Sequence, residues 1–162
     1  MLSRRDGIRT RVGGEDGELY FEDINEAVIS EMEKMCEKDF FDLIPGIQDE
    51  LKNRKEFAAE FLQRHPDQQE FADDIAYVTN HPVSGVVVER FAHYEERQKI
   101  DGLVKDIYQK NQDLFESEDE VFGLFANAVM GGRLLDLARI IEKTYGKGSF
   151  RKLGEKTKRP KG

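Results

Sequence analysis

The chain has three histidines, His65, His81 and His93, and a single cysteine, Cys36. His93 lies four residues after Glu89 and three before Glu96. On a helix those spacings put all three side chains on one face. Two carboxylates and an imidazole can hold a divalent cation or act as an acid–base set. A di-iron bundle needs two Glu-x-x-His motifs, and the sequence has none. The plainer reading of Glu89 to Arg97 is a charged, ion-paired helix surface. His65 and His81 each precede a proline and flank one short segment. Two turn imidazoles can pair as ligands, although turns hold histidine for many lesser reasons.

Nucleophilic and phosphate chemistry find less support. Cys36 stands between Glu33 and Glu37, a poor setting for a reactive thiolate, and reads as a half-buried packing residue. No Gly-x-Ser-x-Gly elbow occurs. Gly146-Lys147-Gly148-Ser149 lacks the preceding strand, the upstream glycine and the following helix of a phosphate loop. Glu15-Asp16-Gly17-Glu18 fails the alternating acids of a calcium loop. These residues lean against an enzyme without deciding the question, and they imply no cofactor.

The strongest chemical anomaly is at the C-terminus. Residues 147–162 carry seven Lys or Arg against one Glu, and residues 1–14 carry four Arg against one Asp. Set against the net charge of -8, those ends (+6 and +3) leave -17 on residues 15–146. An acidic body repels polyanions over most of its surface, so any such contact must use the ends. Lys147, Arg151, Lys152, Lys156, Lys158, Arg159 and Lys161 can meet phosphates, and Phe150 can stack on a base. The competing reading is a solvated tail, or one folded back on the acidic body.

Helical periods dominate the elements that would position these residues. Asp23 and Glu26 open a first helix with Ile24, Val28, Met32, Met35 and Phe40 on one face, closed at Pro45. Ile47, Leu51, Ala58, Phe61 and Leu62 stripe a second helix, ended at His65-Pro66. A short helix from Asp67 carries Phe71, Ala72, Ile75 and Val78. Ser84 then caps a helix with Val87, Phe91, Tyr94 and Gln98 on one side, followed by a stripe from Ile100 to Phe115 with a bend near Gly102. Ser117-x-x-Glu120 is the clearest capping box. Gly131-Gly132 separates the last two helices, and Gly146 suits a left-handed cap. Upstream, Gly7 to Val12 alternates at the strand period and Leu19 to Phe21 returns, so residues 1–22 read as an arm or small hairpin. The aromatic pairs Phe57/Phe61 and Phe122/Phe125, and Phe40-Phe41, read as core.

The expected fold is all-α, a compact array of about six short helices (residues 23–146) between an N-terminal arm (1–22) and a basic tail (147–162). One cysteine excludes an intramolecular disulfide and favours a reducing compartment, so a cytoplasmic location is expected. Met1 to Val12 has no apolar h-region, and the longest apolar run, Val86 to Val88, is far short of the ~20 residues that cross a membrane. Three functions follow. The first is a non-catalytic interaction protein, a small subunit or adaptor with a protein partner or a second copy. The second is a nucleic-acid-associated factor using its basic tail. The third is a small helical enzyme or metal-binding protein built on His93, Glu89 and Glu96.

Overall fold

The computed structural model describes residues 3–6, 9–12, 18–40, 43–81, 83 and 85–156. The chain is mostly helical, and it divides into two units. One comprises residues 1–31 with 95–162, the other residues 32–94.

The first unit opens with three antiparallel strands, β1 (Ser3–Asp6), β2 (Arg9–Val12) and β3 (Glu18–Tyr20), in the order β1-β2-β3. The expected hairpin thus gains a further strand from the residues preceding Gly7. Helix α1 (Glu22–Phe40) follows at once, its N-terminal half belonging to this unit. Asp23 lies inside α1 instead of capping it. The chain enters the helix through Phe21, at φ 61°, whose carbonyl accepts from the Asn25 N–H at 2.9 Å. Ile24, Ala27 and Val28 are buried at the i, i+3, i+4 spacing of a helical face.

Three helices supply the rest of this core: α3 (Tyr94–Lys110), α4 (Glu118–Gly131) and α5 (Leu134–Tyr145). Ile100, Val104 and Ile107 are buried on α3, Val121, Phe125, Ala128 and Val129 on α4, and Leu137, Ile140 and Ile141 on α5. Helix α3 runs unbroken through Gly102, which is exposed; the ~1 kcal/mol penalty of one glycine is overcome by the packed face around it. Asn111 ends α3 and is buried. Its Nδ2 donates to the Ile107 carbonyl and to Thr144 Oγ1, both at 2.8 Å, tying α3 to α5.

The capping box at α4 forms as its spacing predicts. Ser117 Oγ accepts from the Glu120 N–H at 3.4 Å. Glu120 Oε2 reaches back one residue further, to the Glu116 N–H at 2.8 Å. At the other end Gly132, left-handed at φ 66°, donates its N–H to Ala128 O at 3.1 Å, the bond of an αL helix ending. Gly146 closes α5 at φ 94° and ψ 166°, a positive-φ extended conformation in place of the expected left-handed cap.

The second unit departs from its sequence reading. Helix α2 (Gln48–Arg64) is present, followed by a 3-10 segment, Pro66–Asp74. Residues 75–90, expected to finish one helix and begin another, form a hairpin of β4 (Ile75–His81) and β5 (Gly85–Arg90). The run Val86-Val87-Val88 explains this. Adjacent β-branched residues lose side-chain freedom in a helix and fit a pleated surface. Gly85, at φ 75°, supplies the left-handed turn conformation. Val78 and Asp74 are the residues of this unit buried among those described. Lys34 Nζ reaches Asp74 Oδ1 at 3.2 Å, and the ring of Phe71 lies edge-on to Tyr94 at 5.0 Å with the Arg90 guanidinium 3.8 Å over it.

Candidate functional site

The helix that would align Glu89, His93 and Glu96 does not form. Glu89 is on β5, His93 is in the turn after it at φ 57°, and Glu96 is in the first turn of α3. The i, i+4 argument lapses with the helix, and with it the geometric basis of the catalytic or metal-binding reading. Among the described residues no group of three His, Cys, Asp or Glu side chains is placed to hold a metal ion. His65 caps the end of α2 and stacks on Phe61, ring centroids 4.5 Å apart. His81 ends β4, so the two turn histidines sit on unlike elements. Cys36 is exposed, not half-buried.

On α2 a depression of about 50 Å³ is lined by Phe57, Glu60, Phe61, Arg64 and His65. Its walls come from consecutive turns of one helix, and Glu60 and Arg64 pair with each other. Phe57 is exposed and Phe61 half-buried, so this aromatic pair is not core; Phe125, by contrast, is fully buried. Phe40 and Phe41 fall outside the residues whose side chains are described.

The C-terminal segment holds the clearest built feature, and it is more ordered than a tail. Residues Ser149–Lys156 form helix α6. Its start is fastened to α5: Ser149 Oγ donates to the Ile141 carbonyl at 3.1 Å, and the Gly148 N–H to Glu142 Oε1 at 3.1 Å. Phe150, Leu153 and Gly154 share the i, i+3, i+4 face. Phe150 stacks on Phe21 with centroids 4.8 Å apart, so its ring is engaged within the fold rather than presented for a base. Gly154 is buried, and a Cβ there would lie 2.5 Å from Phe21 Cε2. The Phe21 N–H donates to the Gly154 carbonyl at 3.4 Å. Only glycine permits this approach.

The opposite side of α6 carries the charge. Lys147, Arg151 and Lys152 are exposed. Arg151 pairs with Glu155 at 3.4 Å, and among the described residues Lys147 and Lys152 have no ion-pair partner. Lys156 is the last residue of α6; Lys158, Arg159 and Lys161 lie outside the described residues.

A second exposed feature is the turn between α4 and α5. Met130 and Leu135, flanking Gly131-Gly132, are each 71% exposed. Beside α5's other end Tyr145 Oη donates to Asp106 Oδ2 at 2.6 Å. Partial burial, reinforced by that bond, pushes the Tyr145 hydroxyl well above the usual tyrosine range. Bonds from Lys110 and from Tyr145 hold Asp106 below the usual carboxylate range.

No helix among the described residues is long and apolar enough to cross a membrane. Comparison with protein-family models, curated proteins and solved structures found no match to this chain.

Proposed function

We propose that the chain is a non-catalytic interaction protein, a small helical subunit or adaptor that docks onto a protein partner or a second copy of itself. The observation that carries this reading is the α4–α5 turn. Isolated apolar residues on a surface are ordinary. Here two large ones flank one capped turn between helices that bury much of the core among the described residues. In this reading the protein works in the cytoplasm, on the support of its cysteine usage alone. Light scattering of the purified chain, with a pull-down, tests it. The expected result is association that the double variant Met130→Lys/Leu135→Lys abolishes while its helical spectrum is retained. A strict monomer that captures no partner rejects the reading.

A second reading, a nucleic-acid-associated factor, is supported by exposed Lys147, Arg151 and Lys152 of the C-terminal segment, set against the acidic residues 15–146.

A further inference from the structure

The two ends of α4 carry opposite chemistry. At its C-terminal end the exposed side chains of Met130 and Leu135 flank the turn into α5. Arg133 stands between them and is also exposed. Its Cγ lies 3.8 Å from where a Cβ on Gly131 would sit, so its stem folds back across the glycine that adjoins Met130. Among the described residues Arg133 makes no ion pair, whereas Arg139 on α5 is held by Asp136 at 3.5 Å.

The N-terminal end is acidic. Leu114, 51% exposed, lies in the connection from α3, and Glu116, Asp119 and Glu120 follow it. Three lysines of α3 and α5 are already engaged, Lys105 with Asp101, Lys110 with Asp106 and Lys143 with Asp113. Glu116 and Asp119 are exposed and have no cation partner among the described residues. The backbone of Glu116 is fixed: its N–H donates to Glu120 Oε2 at 2.8 Å, and its carbonyl accepts from Tyr108 Oη at 3.3 Å. The fourteen residues of α4 hold the two ends about 20 Å apart. They cannot satisfy each other within one copy.

We infer that copies of this chain associate head to tail, the α4–α5 turn of one seating on residues 114–119 of the next. Met130 and Leu135 cover Leu114, and Arg133 meets Glu116 and Asp119. This deepens the first reading above and rests on it, naming a second copy as the partner. Charge complementarity selects that occupant. Two copies meeting turn to turn would bring like arginines together, which opposes association. The contact is heterologous, so a pair of copies keeps one free end of each kind and growth passes beyond a dimer. The surface is small, so the association is weak and concentration-dependent.

Sedimentation of the full chain across a concentration series tests this. The expected mass rises past the dimer and falls as salt is added, since the paired charges are exposed. Arg133→Glu and Glu116→Lys/Asp119→Lys are each expected to weaken association at least about 10-fold. Arg133 makes no side-chain cap bond at the start of α5, so its replacement removes no cap. Circular dichroism checks that each variant is folded. Arg133→Lys keeps the charge and retains association. All three reversals on one chain restore it, because the turn and the acidic end exchange signs together. Met130→Lys/Leu135→Lys mixed with Glu116→Lys/Asp119→Lys forms a 1:1 pair and grows no further, one copy supplying the acidic end and the other the turn. Association that Glu116→Lys/Asp119→Lys does not weaken, or that the triple reversal does not restore, overturns head-to-tail docking and leaves the first reading standing. A monomer that captures another protein through Met130 and Leu135 does the same. A monomer that captures nothing overturns both.

Discussion

The two units put their helices to different uses. In the first, α3, α4 and α5 bury ten apolar residues among those described, and the start of α1 buries Ile24, Ala27 and Val28. In the second, Val78 is the buried apolar residue among those described, while Met35, Leu43, Ile44, Phe57 and Val83 are exposed. Amphipathic spacing alone is not a core. A stripe contributes stability only when another element covers it, since the gain scales with the apolar area removed from water. The first unit is therefore expected to resist native-state opening more than the second.

The largest expected effect lies in the first unit. Phe125 is fully buried, and Phe125→Ala leaves a cavity costing about 3–5 kcal/mol. Chemical denaturation followed by helix signal should show that loss. A cost near zero would break the contrast between the units.

Gly154→Ala comes next. The added methyl must push the buried ring of Phe21, itself fixed by a left-handed backbone and by Phe150, at a cost of roughly 1–3 kcal/mol. Amide exchange should rise in α6 and at the start of α1, with α4 unaffected. Unchanged protection in α6 would mean that the ring yields freely.

Lys34→Met removes the cation paired with buried Asp74 and should loosen the β4–β5 hairpin by about 1–3 kcal/mol. Faster hairpin exchange with constant α3–α5 exchange would sharpen the comparison. Equal loosening in both would show that they unfold as one.

The smallest effect is one of pH. Because the folded Tyr145 hydroxyl holds its proton more tightly than an unfolded one, its stabilisation is present below about pH 10 and is lost as the pH rises further. Asp106, held low, stabilises above the usual carboxylate range and loses that contribution as the pH falls through its folded value. Tyr145→Phe should flatten the alkaline decline in melting temperature. An unaltered decline would assign it to other groups.

How much was legible depended on how local the signal was. Ser117-x-x-Glu120 and the break at Gly131-Gly132 act through their own backbone neighbours, so each could be read directly, and Gly146 marked where α5 ends but not its conformation. The stripe that begins at Ile100 lies along the buried face of α3, and Phe125, read as core, is fully buried. Residues 75–90 misled because a 3–4 spacing of Val87, Phe91 and Tyr94 also arises in a strand and turn, and the compact valine run was the better guide. The alignment of Glu89, His93 and Glu96 failed for the same reason. The cations of both ends were visible as composition; that Phe21 meets α6 was not.

By itself, then, the sequence determined the helical character, the caps and turns, the charge asymmetry and the absence of any intramolecular disulfide. Those properties depend on residue type and near neighbours. The tertiary structure alone decided which stripes are covered, that the basic tail begins as a docked helix, and that Phe21, Phe150 and Gly154 meet. Such contacts join residues about 130 positions apart. They are selected by the complementarity of whole surfaces, which no local pattern encodes.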